Sequence, residues 1–175
     1  MAASKPKSKA AARKVAPVPQ GYRTVTPYLI VQGAEAAIDF YAQAFGASEK
    51  SRMTGPDGLS VVHAELKIGN SVVMLSDEMP AYGILSPRSI GGTAVSIHLY
   101  VEDVEAAWAQ AFDAGAVELM ALSDTFWGDR FGKLLDPFGH VWSLASRVEK
   151  LTKQEVAERA EAAFAPPAEQ APEND

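Results

Sequence analysis

The chain has 175 residues, of which 47% are apolar and 22% charged, a composition typical of a globular protein of about one domain. Its formal net charge of −6 argues against a nucleic-acid-binding surface, because phosphate contacts need clustered Lys and Arg. The absence of cysteine excludes disulfides, a thiolate nucleophile and thiolate-bound metal. The sequence contains no run of 18 apolar residues, which a membrane span would require, and residues 1–20 lack the apolar stretch of a signal peptide. We therefore expect a cytoplasmic protein without a membrane partner.

The N-terminal segment, residues 1–20, mixes Ala, Pro and Ser with five basic residues and shows no hydrophobic periodicity. Such a segment offers nothing large to bury and is predicted to be a disordered basic tail. Transient contact with an acidic partner is one interpretation of it. A solubilising leader is the interpretation that we favour.

A strand, a helix and three further strands are predicted next, over residues 23–78. Residues 24–31 alternate in strand fashion, and residues 34–45 form an Ala-rich helical segment that ends at Gly46. Strand-like runs follow and are separated by turn signals at 55–58 and at Gly69-Asn70; they cover residues 48–53, 61–68 and 72–75. We therefore predict a βαβββ module, followed by a Pro- and Gly-rich linker at 79–94.

The same pattern returns 70 residues later, with Val101 in the place of Val31. A strand at 95–101 precedes a helix at 103–114, in which Val104, Ala107 and Trp108 fall at helical spacing. The strands that follow are predicted at 117–122, 131–135 and 141–145. The repeat predicts an α+β fold of two βαβββ modules within one domain at 21–148, the second module covering 95–147.

After the second module, Thr152 and Glu155 match a capping box, and apolar residues follow at helical spacing. A C-terminal helix is predicted over 149–164. Residues 165–175 are rich in Pro, Glu and Ala, and we expect them to be disordered.

Several ordered motifs resemble one known family. They are Ile38-Asp39-Phe40-Tyr41 before Phe45-Gly46, the segment 99–104, and 127–132 before Asp136-Pro137-Phe138-Gly139-His140. Together they resemble the glyoxalase/bleomycin resistance/dioxygenase superfamily, the vicinal oxygen chelate (VOC) superfamily, and residues 125–127 and 131–133 most resemble its PhnB-like branch. The resemblance implies curved sheets that form a cleft for a small molecule, commonly completed in a homodimer. It implies no particular reaction, because function lies in the site and not in the fold.

Metal-using members of this family carry His or Glu at inward positions on the first and last strands of each module. Here the first-strand positions are Thr26 and Ser96, and the last-strand positions are Ser143 and either Met74 or Val73. Hydroxyls and a thioether are poor substitutes for imidazole and carboxylate at a divalent ion. We therefore expect no inherited metal site and no cofactor.

The three histidines are the candidates for polar chemistry. Since side chains two apart share a face of a strand, His98 is predicted to point into the cleft, as a ligand contact or as the one candidate catalytic base. A core histidine held by a neighbouring hydroxyl is the equally weighted alternative. His63 shares a face with Glu65, and an exposed salt bridge is favoured for this pair. A rearranged site of His63, Glu65 and His98 for Ni, Zn, Fe or Mn is the alternative. His140, in a turn, is expected to be solvated.

Aromatic residues are predicted at both the cleft and the core. Trp108 is assigned to the core by its helical spacing, whereas Phe126 and Trp127 are assigned to a pocket rim or a dimer contact. Four acidic residues, Glu78, Glu102, Asp124 and Asp129, could attract a cationic ligand, as the resemblance to bleomycin-binding relatives implies, but we favour their interpretation as ordinary solvated loop residues. The predicted ligand-binding set is Thr26, Tyr28, Met74, Ser96, His98, Tyr100, Phe126, Trp127 and Ser143.

These observations favour a metal-independent protein that sequesters or senses a small, partly aromatic ligand. Whether it is also an enzyme stays open. The alternative is a divalent-metal lyase or dioxygenase of the glyoxalase type.

Overall fold

The structure, a computed structural model, describes residues 15–165. The predicted C-terminal tail at 165–175 and the basic tail at 1–20 lie largely outside the described residues. The first module consists of β1 (Tyr28–Val31), α1 (Ala34–Phe45), β2 (Ser48–Thr54), β3 (Val61–Ile68) and β4 (Ser71–Asp77).

A short 3₁₀ turn (Pro80–Tyr82) and one helical turn, α2 (Pro87–Ile90), form the linker. The second module consists of β5 (Ser96–Tyr100), α3 (Val104–Asp113), β6 (Val117–Asp124), β7 (Asp129–Leu135) and β8 (Val141–Arg147). A terminal helix, α4 (Lys153–Phe164), follows, and the capping box predicted at Thr152 is present. Within residues 15–165, no helix combines the length and hydrophobicity that a membrane span requires.

Both modules have the same sheet topology. The strand orders are β1-β4-β3-β2 and β5-β8-β7-β6, with the first strand of each module parallel to the last and the other neighbours antiparallel. The predicted α+β fold of two βαβββ modules is confirmed.

The first strand is shorter than its alternating pattern predicts. β1 begins at Tyr28 and not at residue 24. The preceding Pro27 has no N–H to donate, and its carbonyl accepts a hydrogen bond from the Met74 N–H at 2.9 Å. Thr26 lies outside the strand, and its hydroxyl donates a hydrogen bond to the Arg23 carbonyl at 3.0 Å.

The two modules share one hydrophobic core, in which α1 packs against α3. Tyr41 and Trp142 are fully buried with ring centroids 5.4 Å apart, and both donate hydrogen bonds to Asp136 Oδ2, at 2.8 and 2.9 Å. Burial, and secondly the Asp136 carboxylate, raises the pKa of the Tyr41 phenol well above its ordinary value. Asp136 Oδ1 also accepts two backbone N–H groups, so a fully satisfied buried carboxylate ties module one to module two.

The expectation for His140 was wrong. Its side chain is half-buried, and Nε2 lies 3.1 Å from the Ile30 carbonyl of the first module. Sequence position suggests an exposed turn here, but that turn packs against β1, where the imidazole N–H satisfies a backbone acceptor.

Each sheet covers one face with the shared core and leaves the opposite face open. Side chains alternate along a strand, so Leu29 and Val31 are buried while Tyr28 is 46% exposed. We call the uncovered surfaces the open faces. The module-one face carries Tyr28, His63, Glu65 and Met74; the module-two face carries His98, Tyr100, Phe131, Lys133 and Ser143.

Candidate ligand-binding faces

The centre of the module-two face is a histidine–serine pair. His98 of β5 lies opposite Ser143 of β8, and Nδ1 is 2.8 Å from the serine Oγ. The imidazole contacts the Tyr100 ring edge-on at 4.5 Å and lies nearly parallel to Phe131 at 6.0 Å. Burial lowers the pKa of His98, although the charge of Asp129 opposes this, so the imidazole is neutral at neutral pH.

A buried carboxylate orients two of the rings around this pair. Asp129 is 5% exposed, and its Oδ2 accepts hydrogen bonds from the Tyr100 hydroxyl at 2.9 Å and from Trp127 Nε1 at 3.1 Å. The hydrogen bond to Asp129 raises the pKa of Tyr100. The interpretation of Asp129 as a solvated loop residue was wrong. It is the first residue of β7, and its spacing of two from Phe131 is the sequence signal for a shared face.

Aromatic side chains line the edge of this face. Trp127 packs edge-on against Phe131 at 5.8 Å and against Phe126 at 4.9 Å, and Phe126 in turn contacts Phe164 of α4 at 5.6 Å. Trp127 is 37% exposed. The pair predicted for a pocket rim thus lies beside the open face, and α4 extends the aromatic row.

A lysine that the sequence reasoning missed lies on the same face. Lys133 of β7 is directly opposite Ser143 of β8 and Met120 of β6. Its side chain is half-buried, and within residues 15–165 it forms no ion pair. Alternation along β7 from Phe131 would have predicted this orientation.

The module-one face carries a connected polar network. The Tyr28 hydroxyl is 3.1 Å from His63 Nδ1, and His63 Nε2 is 3.5 Å from Glu65 Oε1, so the predicted His–Glu pair forms. Glu65 also accepts a hydrogen bond from the Tyr22 hydroxyl and is 3.5 Å from Lys50 Nζ. The Tyr22 hydrogen bond, with smaller effects of His63 and Lys50, lowers the pKa of Glu65. Every polar group of this network therefore has a partner.

The strand register decides whether Met74 or Val73 occupies the β4 position that the resemblance assigns to a metal ligand. Met74 lies opposite Tyr28 and Glu65 on the open face, whereas Val73 is buried in the core. The four positions that the resemblance assigns to metal ligands are then Thr26, Met74, Ser96 and Ser143. The hydroxyls of Thr26 and Ser143 already have partners, and none of the four supplies an imidazole or a carboxylate. These residues do not fit a divalent metal ion.

The structure also does not bring together the residues of the alternative metal site, His63, Glu65 and His98. His63 and Glu65 belong to module one and His98 to module two, and in the described part of the chain no hydrogen bond or ring contact joins them. No three His, Asp or Glu side chains among residues 15–165 are placed to hold a metal.

The predicted ligand-binding residues form two separate groups. Module one carries the smaller group, Thr26, Tyr28 and Met74. Module two carries the larger, which is Ser96, His98, Tyr100, Phe126, Trp127 and Ser143.

A cavity of 730 Å³ opens where the modules meet, between the end of α1 and the free edge of β5. Phe45, Leu99 and Leu144 provide apolar walls, and His98 and Tyr100 line it from the module-two face. Its size lies within the range of small-molecule pockets. The sequence did not predict this cavity, because its walls come from elements of both modules.

Comparison with known proteins agrees with this architecture. Residues 23–144 match the family model of the Glyoxalase/Bleomycin resistance protein/Dioxygenase superfamily. The chain belongs to this superfamily. The superfamily recognised from the sequence motifs is thereby confirmed.

The superfamily relatives include proteins of similar length. An uncharacterized protein of Mycobacterium bovis is 46% identical over 135 residues, which are 75% of this chain and 88% of that protein. The X-ray structure of an Arabidopsis thaliana gene product is 31% identical with a TM-score of 0.56, covering 71% of this chain and 98% of the other. A Bacillus cereus PhnB protein, described as a putative methyltransferase, has a TM-score of 0.55 at 23% identity, covering 71% and 99% of the chains. At this level of identity, the likeness to the Bacillus cereus protein shows only that the two chains share a fold.

Proposed function

We propose that this member of the superfamily binds a small, partly aromatic organic molecule without a metal ion, and sequesters or senses it. The observation that carries the proposal is the module-two face, where accessible rings surround a hydrogen-bonded polar centre. Tyr100 is 69% exposed and Trp127 37% exposed, while Asp129, which orients them, is buried. Apolar and aromatic walls with a few fixed polar groups are typical of ligand sites.

The rings are held before any ligand arrives. The two hydrogen bonds to Asp129 fix Tyr100 and Trp127, and His98 is fixed by Ser143. Less side-chain entropy is then lost on binding, which favours affinity.

The polar groups support binding better than covalent catalysis. Ser143 and His98 are close enough for a nucleophile and a base, but a nucleophilic pair also needs a third group that orients the base. Within the described part of the chain, no carboxylate hydrogen-bonds to His98. His98 therefore stays a candidate base with no evident means of activating the serine.

We also propose that the working form is a homodimer in which a second copy covers the open faces. Tyr28, Tyr100 and Met120 are 46%, 69% and 48% exposed, and monomeric proteins rarely leave large contiguous apolar patches uncovered. Dimerisation would exclude water from a ligand held between the two faces and would thereby strengthen the polar contacts of the ligand.

Native mass spectrometry of the purified protein, combined with metal analysis, tests both proposals. We expect a dimer that carries no stoichiometric metal and retains or captures an organic molecule. About one tightly held Ni, Zn, Fe or Mn per chain would instead support the glyoxalase-type lyase or dioxygenase.

Substitutions locate the ligand. His98→Ala and Trp127→Ala should each weaken binding by about 1 kcal/mol or more, because each removes a contact from a partly buried site. Tyr82→Ala, which removes an 81% exposed ring from the linker, is the matched control. Unchanged affinity in both face variants would place the ligand elsewhere.

A further inference from the structure

We infer that the ligand is an anion, a flat aromatic molecule whose carboxylate binds the ammonium group of Lys133. This inference rests on the proposed function and names the chemical class of the molecule bound at the module-two face.

Lys133 lies in the middle of this face. Along β7 its neighbours on the same face are Phe131 and Leu135, and across the sheet they are Ser143 and Met120. The Lys133 side chain is half-buried, and it brings a positive charge onto a face of aromatic and apolar side chains. Among residues 15–165 no carboxylate forms an ion pair with Lys133, so an anionic ligand would supply the partner that this charge lacks.

The carboxylate on the same face is already engaged. Asp129 lies four residues before Lys133 on the strand, about 13 Å away. It accepts the Tyr100 and Trp127 hydrogen bonds and lies opposite Arg147. This carboxylate therefore positions rings and is not free to attract a cationic ligand.

In module one, the position that corresponds to Lys133 is occupied by Glu65, whose charge already has partners. Glu65 lies opposite Met74 as Lys133 lies opposite Ser143, and its carboxylate is bound by Tyr22 and Lys50. The same place in the repeat thus holds a neutralised charge in one module and, in the other, a cation with no ion-pair partner among residues 15–165. An external anion fits the second and not the first.

Neighbouring groups suit a planar acid. His98, held by the buried Ser143, supplies a neutral hydrogen-bonding group on the same face as Lys133, and Phe131 and Trp127 supply aromatic rings there. A carboxylate attached to an aromatic ring presents both requirements in one rigid molecule.

Three probes with the same ring system test the inference: 2-naphthoic acid, 2-naphthalenemethanol and 2-naphthylmethylamine, titrated calorimetrically into the full chain. We expect the acid to bind about tenfold more tightly than the alcohol, which corresponds to one charge-assisted hydrogen bond, and the amine to bind least tightly. Lys133→Met should abolish the preference for the acid and leave the affinity for the alcohol essentially unchanged. Lys133→Glu should shift the preference to the amine.

Lys67→Met is the matched control, because Lys67 is an exposed lysine on the module-one side of the molecule. It should keep the full preference for the acid, and thermal unfolding of each variant reports that it is folded. Trp127→Ala should weaken all three probes equally.

The outcomes separate the two proposals. If all three probes bind equally, or if Lys133→Met keeps the preference, the anion inference is overturned and the binding function stands. If no probe binds to the native protein, both are overturned. If Lys133→Glu dissociates a dimer while the preference for the acid persists, the lysine contacts a second copy of the chain, which also overturns the inference.

Discussion

The two modules share one topology and one register, yet their open faces differ in how far their polar groups are satisfied. On the module-one face, Tyr28, His63 and Glu65 form a connected chain that also binds Tyr22 and Lys50. On the module-two face the rings stand around a histidine–serine pair, with Lys133 unpaired among the described residues. A repeated scaffold therefore fixes where side chains point, while their identity decides which face is ready for a ligand.

The core-facing sides of the two sheets differ in the size of the residues that pack between strand and helix. Gly132 of β7 lies opposite Leu144, and its counterpart in module one is Ala64, opposite Leu75. A Cβ at Gly132 would lie 2.6 Å from the Trp108 ring. At the place of this tryptophan, module one has the smaller Ile38. A large residue on the helix thus accompanies a small residue on the sheet, which keeps the packing dense in both modules.

The largest expected effect is at the core that joins the modules. Trp142→Ala should lower the free energy of unfolding by about 3–5 kcal/mol, because it removes a fully buried indole and its hydrogen bond to Asp136. Urea denaturation followed by circular dichroism measures the loss. Tyr82→Ala should change stability by less than about 0.5 kcal/mol. Two separate transitions, only one of them shifted, would show that the modules unfold independently.

A methyl group tests the packing difference between the modules. Gly132→Ala should cost about 1–3 kcal/mol of stability, because the new Cβ overlaps the Trp108 ring and lies 3.1 Å from the Met120 carbonyl. Trp108→Ile in the same chain should recover part of this loss by recreating the module-one combination. A Gly132→Ala protein as stable as the native chain would remove the explanation for the glycine.

The module-two face depends on the charge of Asp129. Asp129→Asn should weaken ligand binding by about 1 kcal/mol, since the charge-assisted hydrogen bonds that orient Tyr100 and Trp127 become neutral ones. The pKa of Tyr100 should fall toward its ordinary value, because the interaction with Asp129 is what raises it. Ultraviolet titration of the tyrosines follows this change, with Tyr100→Phe identifying the signal. An unchanged titration would contradict the role given to Asp129.

The smallest effect is expected on the module-one face. Glu65→Gln should lower stability at pH 7 by less than about 1 kcal/mol, because the network is partly exposed. The folded-state pKa of Glu65 lies below its ordinary value, so the contribution is present above about pH 4.3 and is lost as pH falls through the folded pKa. Unfolding at pH 7 and at acid pH should therefore show a difference between variant and native chain that disappears in acid.

Glu102→Gln is the control for this pH dependence, because Glu102 is exposed and has no hydrogen-bond or ion-pair partner among residues 15–165. A difference between the Glu65 variant and the native chain that is constant across pH would contradict an ionic origin.

The amino-acid pattern alone determined the repeat and the superfamily. Period-two and period-3.6 hydrophobicity are local properties, so the strands and helices of both modules could be assigned, with errors at ends such as β1 where a proline interrupts pairing. The same alternation placed His98 beside Tyr100 on one face and separated His63 and Glu65 from the core.

Tertiary structure alone decided which groups meet across strands and between modules. Asp129 binds Tyr100, Lys133 faces Ser143, and His140 reaches Ile30, although each pair is separated by at least 10 residues in the sequence. Such contacts depend on sheet register and on the packing of α1 against α3, neither of which is encoded in the spacing of nearby residues. Periodicity tells which way a side chain points, but only the folded chain determines what it faces.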